Sequence, residues 1–173
     1  MPRVSQGALD GAGLHIAVIV SRFTQDLTER LLQGALEAAA AHGVPQWGLH
    51  VVHVPGAFEL PMAAEELAAS GAYDAIVCVG CVIRGETAHF DYVAGESARG
   101  IAEVARNNAV PVTLGVITAE NRAQAEARAG GAKTNMGSDA MRAAIEMANL
   151  FRSLRDNAPS AGEAATPHLG GTH

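Results

Sequence analysis

The sequence has few aromatic residues, few charges and no long apolar run. Seven of its 173 residues are Phe, Trp or Tyr, and 17% are charged. No segment reaches the roughly 18 apolar residues of a membrane-spanning helix, and residues 1–13 lack the basic start and apolar stretch of a signal peptide. With 49% hydrophobic residues, the chain can bury the core of about one domain. We therefore expect a cytoplasmic protein with no membrane partner.

Charge and cysteine content exclude further classes of partner and of binding site. The net charge is −6, and no basic patch offsets it, which argues against a nucleic-acid partner. The two cysteines, Cys78 and Cys81, lie in one apolar run. A disulfide framework or a zinc site would need more cysteines or a third ligand at metal spacing. The sequence therefore predicts buried free thiols and no metal site.

Short apolar segments alternate with segments that have helical periodicity. The segments rich in Val and Ile predict buried strands at 14–20, 49–54, 75–83 and 112–117. Helices are expected from a cap at Asp26 to Gly43, over 60–71 with Pro61 in the first turn, over 89–107, from Thr118 and Asn121 to Gly130, and over 138–154.

This alternation predicts an α/β fold. Strands joined by helical crossovers form a parallel sheet that helices cover on both faces, so we expect a three-layer α/β/α sandwich of flavodoxin-like type with a four-stranded parallel sheet. The domain would span residues 14–155, after an N-terminal arm at 1–13. Residues 156–173 are rich in Ala, Gly, Pro, Ser and Thr and predict a disordered tail, where His168 and His173 would be exposed rather than ligands.

The conspicuous residues of the chain follow the predicted strands. Phe23 follows the first strand and Glu59 the second, while a Gly85-Glu86-Thr87 turn and then His89 follow the third. Each has an ordinary structural explanation alone: packing at the sheet edge, a helix-start carboxylate, a turn or a helix cap. Because ligands bind beyond the carboxyl ends of parallel strands, their combination predicts one site. It would offer an aromatic face, backbone N–H groups for an anion and an imidazole for proton transfer.

Two motifs in these loops resemble the lumazine synthase family. They are VPGAFELP at 54–61 and VIRGETAHFDYV at 82–93, supported by GVIT at 115–118, RAG at 128–130 and AIEMANL at 144–150. The resemblance extends from about residue 16 to residue 154. It implies the penultimate step of riboflavin biosynthesis, in which 5-amino-6-(D-ribitylamino)uracil condenses with 3,4-dihydroxy-2-butanone 4-phosphate. The product is 6,7-dimethyl-8-ribityllumazine, phosphate and water are released, and neither a metal nor an organic cofactor takes part.

The resemblance also implies roles for residues that bind the pyrimidine substrate. Phe23 would stack on the pyrimidine ring. The ribityl chain and part of the ring would be held by three consecutive residues, Ala57, Phe58 and Glu59. Three residues at the end of the third strand would contact the ring through backbone groups and shape, namely Cys81, Val82 and Ile83.

The remaining roles concern the phosphate and the proton. Glu86 and Thr87 would bind the phosphate, largely through backbone N–H groups, and His89 would move the proton. Leu114 and Arg128 would come from the neighbouring subunit, where Arg128 would neutralise the phosphate. The amine of the substrate is itself the nucleophile, so the absence of a nucleophilic motif in the sequence agrees with this chemistry.

Two positions depart from the pattern of the family. Many members carry lysine in an Asn-Lys-Gly stretch where this chain has Met136, and Lys133 is a nearby alternative cation. Many also carry an aromatic residue in place of Leu114. Asp139 matches an acidic position that would orient His89.

The resemblance implies a homo-oligomer whose sites are shared between subunits. We expect a homopentamer and favour its closure into a 60-subunit icosahedral shell, because residues 128–137 carry no insertion relative to shell-forming relatives. Riboflavin synthase is the protein partner that the resemblance suggests. Two alternatives stay open: a flavin- or lumazine-binding protein without turnover, and a purely structural shell protein on the same fold.

Overall fold

The computed structural model describes residues 1–158. Its four strands are β1 (Ile16–Ser21), β2 (Leu49–Val54), β3 (Ala75–Ile83) and β4 (Val112–Ala119). They form one parallel sheet in the order β2-β1-β3-β4. The helices are α1 (Gln25–Ala41), α2 (Leu60–Ala69), α3 (His89–Asn108), α4 (Arg122–Arg128) and α5 (Met136–Asp156), and short 3₁₀ turns occupy Gln46–Gly48 and Ala57–Glu59.

The helices cover both faces of the sheet, which confirms the predicted three-layer α/β/α sandwich. Successive residues of a strand point to opposite faces: Ile16, Val18 and Val20 of β1 join the core under α1 and α5, while Ala17 and Ile19 join the core under α2 and α3. The central strand β1 is buried along its whole length, as expected for a strand covered on both faces. The edge strand β2 exposes part of its length.

Two of the expected helix starts are wrong. Asp26 does not cap α1, because Thr24 occupies the cap position with a left-handed backbone (φ 61°) and no side-chain cap bond. Asp26 lies in the first turn and pairs with Arg122 of α4. Thr118 belongs to β4, which extends to Ala119 by pairing with Ile83. Asn121 alone caps α4, where its side chain accepts the N–H of Gln124 at 2.9 Å.

The structure near the two ends of the predicted domain differs slightly from the expected boundaries at residues 14 and 155. Asn149 donates to the carbonyls of Ala8 and Asp10, both at 2.8 Å, so the N-terminal arm lies along α5. Helix α5 continues to Asp156, the residue at which we expected the tail to begin. The rest of that predicted tail from residue 159 onward, with His168 and His173, lies outside the described residues. Within residues 1–158, no helix is long and apolar enough to cross a membrane.

Candidate active site

A cavity of about 590 Å³ lies at the carboxyl ends of β1, β2 and β3. It brings together most of the residues that the sequence singled out, namely Phe23, Ala57, Phe58, Glu59, Cys81, Val82, Ile83, Thr87 and His89. The loops after three adjacent parallel strands therefore meet at one place, as the crevice rule for open α/β sheets requires.

The loop after β1 presents Phe23 at the mouth of the cavity. Backbone bonds from Arg22 to Val54 (2.9 Å) and from Phe23 to Pro55 (3.0 Å) continue the pairing of β1 with the β2 side beyond the strands. The left-handed Thr24 then turns the chain into α1. This conformation is uncommon for a non-glycine residue and is found often at functional sites. The Phe23 side chain is 76% exposed, so its ring is free to stack.

The loop after β2 forms the 3₁₀ turn that leads into α2. Ala57 is buried beneath the turn and packs in the core, whereas Phe58 is 54% exposed. The carboxylate of Glu59 folds back over Gly56: a Cβ at Gly56 would lie 3.1 Å from Oε2 of Glu59. A side chain at Gly56 would therefore require this carboxylate to shift by a few tenths of an ångström.

The third strand closes the inner wall of the cavity. Val82 and Ile83 are half-buried, and Cys81 is buried. Burial raises the pKa of the Cys81 thiol to about 11, an effect to which the charge of Asp26 adds and which Arg122 opposes. A thiol with this pKa is protonated at neutral pH and is a poor nucleophile. Cys81 can therefore offer shape and backbone groups to a ligand, but not a thiolate.

Helix α3 points its N-terminal turn at the cavity. Thr87 and His89 both line it, and the Thr87 hydroxyl accepts the backbone N–H of His89 at 3.4 Å. The turn 85–89 is exposed. The start of a 20-residue helix offers free N–H groups and a positive dipole end to an anion. Glu86 is exposed in the same turn but does not line the cavity.

Gly85 of the predicted turn also lines the cavity, together with five residues to which the sequence assigned no role: Thr24, Gly56, Phe90, Tyr92 and Val93. The signal for Tyr92 and Val93 was present in the sequence, because they follow His89 by three and four residues and share its face of the helix. With Phe23, Phe58, Phe90 and Tyr92, four of the seven aromatic residues of the chain line one cavity. This concentration makes the cavity suited to a planar ring.

Leu114 and Arg128 lie outside this cavity. Leu114 is 45% exposed on the edge strand β4 and lines a neighbouring cavity of about 400 Å³, which shares Phe90 with the first. Arg128 ends α4, where its guanidinium donates to the carbonyl of Gln124 at 3.0 Å. The structure of one chain therefore does not join these two residues to the rest of the predicted site.

The residues at and near the departures from the family pattern make contacts within their own chain. Met136 is half-buried and packs against the core under α1 and α5. Lys133 is exposed, and its backbone N–H bonds to the carbonyl of Ala127. Asp139 accepts the Thr134 hydroxyl at 2.8 Å and pairs with Arg142 one turn along α5. Neither carboxylate oxygen of Asp139 is thus free of a partner within its own chain.

The cavity offers too little positive charge to neutralise a phosphate. Over residues 1–158, its lining contains no arginine and no lysine. In the same part of the chain, no three His, Cys, Asp or Glu side chains cluster so as to hold a metal ion. A bound phosphate would have the helix N-terminus but would need its cation from elsewhere.

The chain matches the model of a known protein family. The model of the 6,7-dimethyl-8-ribityllumazine synthase family matches residues 13–152. This range contains the whole sheet, α1 to α4 and most of α5, and it includes every residue discussed above as part of the site.

Proposed function

The chain belongs to the 6,7-dimethyl-8-ribityllumazine synthase family, and from this premise we propose that it catalyses the condensation itself. The substrates are 5-amino-6-(D-ribitylamino)uracil and 3,4-dihydroxy-2-butanone 4-phosphate. The observation that carries the proposal is that nine of the twelve predicted site residues, all but Glu86, Leu114 and Arg128, line one cavity.

The pyrimidine would lie across the mouth of this cavity. Phe23 presents an exposed ring for stacking, and the 57–59 turn offers backbone groups and the Glu59 carboxylate to the hydroxyls of the ribityl chain. The inner wall, residues 81–83, limits the depth that the heterocycle can reach. The other aromatic lining residues, among them Tyr92 at the start of α3, would add apolar contacts to the ring.

The chemistry needs proton transfers rather than a protein nucleophile. The 5-amino group of the pyrimidine attacks the butanone carbonyl, and loss of water gives an imine. Elimination then releases inorganic phosphate, and attack of the ribityl-bearing nitrogen closes the ring with loss of a second water. His89 lines the cavity at the N-terminus of α3, where an imidazole can carry protons in these steps near pH 7. Holding both substrates together supplies proximity.

The phosphate would bind at the start of α3, with Thr87 and the backbone N–H groups of the turn around it. The missing cation would be Arg128 of a neighbouring subunit, and Leu114 would pack on the substrate across the same boundary. The absence of arginine and lysine from the lining over residues 1–158 supports this arrangement. We accordingly propose a homo-oligomer, a pentamer that can close into a 60-subunit shell, with sites at its subunit boundaries.

The decisive experiment is turnover with both substrates. The purified chain should form fluorescent 6,7-dimethyl-8-ribityllumazine and release one inorganic phosphate for each product molecule, well above the uncatalysed rate. Binding of the lumazine without turnover would replace the proposal by a non-catalytic ligand-binding function. No turnover and no change in melting temperature with either substrate or product would leave only the structural shell protein.

A further inference from the structure

Arg84 is the one charged residue of the VIRGETAHFDYV segment that pairs with two carboxylates, and the proposed mechanism gives it no role. We propose that Arg84 is a positioning residue, which clamps the first turn of α3 to the sheet and so fixes His89 and Phe90 for the reaction. The inference rests on the proposed function and adds a residue to its machinery.

The contacts of Arg84 join three elements. Its Nη2 and Nη1 donate to Oδ1 and Oδ2 of Asp91 at 3.1 and 3.4 Å, and its Nε donates to Oε2 of Glu120 at 2.7 Å. Its backbone N–H bonds to the carbonyl of Ala119 at 2.9 Å. The end of β3, the first turn of α3 and the residue after β4 thus meet on one guanidinium.

The same guanidinium lies over the ring of Phe90, 4.4 Å from its centroid. Phe90 lines both cavities and lies between His89 and Asp91 in the sequence. Two donors and one face of the Arg84 guanidinium therefore contact Asp91 and Phe90, the residues that follow His89, and the third donor ties them to Glu120 after β4. Lysine cannot reproduce this set, because it lacks the planar fork and the stacking surface.

The turn that Arg84 spans has little packing of its own. Residues 85–89 are exposed, and a Cβ at Gly85 would meet no atom within 4 Å. The Asp91 contact bridges seven residues and closes this turn as a loop. Since the turn carries Thr87 and His89, the clamp orders groups that packing does not hold, and small displacements of such groups are costly to catalysis.

Direct binding of the phosphate by Arg84 is the competing role, and the charges oppose it. Two carboxylates surround one guanidinium, so the cluster as a whole is an anion, and both contacts raise the pKa of Arg84, with Glu120 the stronger. The two roles predict opposite effects for Asp91→Asn. Removing a clamp partner slows the reaction, whereas removing a competing anion strengthens phosphate binding.

The test is a double-mutant cycle on Arg84→Met and Asp91→Asn, with Arg84→Lys as a third variant. Arg99→Met is the matched control, because Arg99 lies on the same helix and pairs with Glu96. Within residues 1–158, its guanidinium pairs with no second carboxylate and lies over no aromatic ring. For each variant we would measure kcat, both KM values and inhibition by inorganic phosphate. Hydrogen exchange of residues 91–95, whose N–H groups bond to the carbonyls of the first turn of α3, would be followed together with the melting temperature.

A clamp predicts that Arg84→Met and Asp91→Asn each lower kcat by roughly 10-fold with a smaller change in the pyrimidine KM. The double variant should lose no more than about the larger single loss, because both changes break one contact. Arg84→Lys should not restore kcat. Exchange should accelerate at 91–95 and not across the sheet, and Arg99→Met should resemble the wild type.

Additive losses in the cycle, or unchanged exchange at 91–95, would overturn the clamp. Tighter inhibition by phosphate in Asp91→Asn, with Arg84→Lys close to the wild type, would instead make Arg84 a phosphate ligand and equally refute it. The exchange measurement needs no turnover. If the wild-type chain proved inactive, the proposed function would fail while local exchange at 91–95 still decided whether Arg84 holds the first turn of α3.

Discussion

Replacing Phe23 with alanine should weaken binding of the lumazine product and of the pyrimidine substrate while leaving the fold intact. The ring is 76% exposed at the mouth of the cavity, so its removal leaves no hole in the core. Exposed substitutions of this kind change the free energy of unfolding by about 0.5 kcal/mol or less. Stacking of a heterocycle on an aromatic side chain is worth about 1–3 kcal/mol. At 1.4 kcal/mol for each factor of ten, the product Kd should rise by roughly 5- to 150-fold.

The chain provides a matched control in Trp47. This ring is 70% exposed, but it lies before β2, at the opposite end of the sheet from the cavity, where it meets the edge of His15. Trp47→Ala removes a comparable exposed aromatic surface without touching the proposed site. Phe23→Trp keeps an aromatic face and should retain most of the affinity.

Titration of the lumazine by fluorescence gives the product Kd for all three variants, and steady-state kinetics gives the KM of each substrate. We expect the loss only in Phe23→Ala, with the pyrimidine KM raised much more than the butanone phosphate KM. Equal effects on the two substrates, or a Phe23→Ala chain that binds as tightly as Trp47→Ala, would refute the stacking role.

Three other outcomes test the assembly, the packing and the titration of the core. Co-purified mixed oligomers of His89→Ala and Arg128→Ala chains should recover about a quarter of wild-type activity, since a quarter of randomly formed subunit boundaries pair an intact His89 with an intact Arg128. Activity no higher than that of either variant alone would mean that one chain supplies both residues. Gly137→Ala should lower the melting temperature by roughly 3–10 °C, because its Cβ would lie 2.0 Å from the carbonyl oxygen of Leu31. Gly95→Ala, in open space on α3, should raise the melting temperature slightly, and equal shifts for the two variants would contradict the close contact at Gly137. Burial raises the pKa of the Cys78 thiol from 9.0 to about 12. The unfolded chain therefore loses this proton first, and the free energy of unfolding falls as the pH rises from about 9 to 12. Chemical denaturation should show a shallower fall for Cys78→Ala, and parallel pH curves for the variant and the wild type would argue against this role of burial.

The fold could be predicted from the sequence because its signals are local and repeated. Continuous Val and Ile runs mark strands buried on both faces, and helical spacing marks the crossovers between them. The errors fall where a tertiary contact overrides a local preference. Asp26 has the chemistry of a cap but pairs with Arg122, ninety-six residues away, and Thr118 continues a strand because β3 is long enough to pair with it.

The candidate site could be predicted only in part, for a related reason. Residues directly after strands come together because topology requires it, and Phe23, Glu59 and His89 do so. The contribution of Phe90 depends on where α3 lies, which the packing of the helix against the sheet determines. Arg128 illustrates a different limit, since no pattern within one chain shows whether a residue serves a neighbour.

His89 is the residue proposed to move protons in this cavity. One comparison tests this role most directly, namely kcat of His89→Ala against that of the wild type with both substrates saturating. His89 is exposed at the helix start, so the variant should melt at the wild-type temperature and bind the lumazine with similar affinity. Its kcat should fall by roughly 10²-fold or more, the usual contribution of one general acid or base. A kcat equal to that of the wild type, with binding intact, would contradict the account.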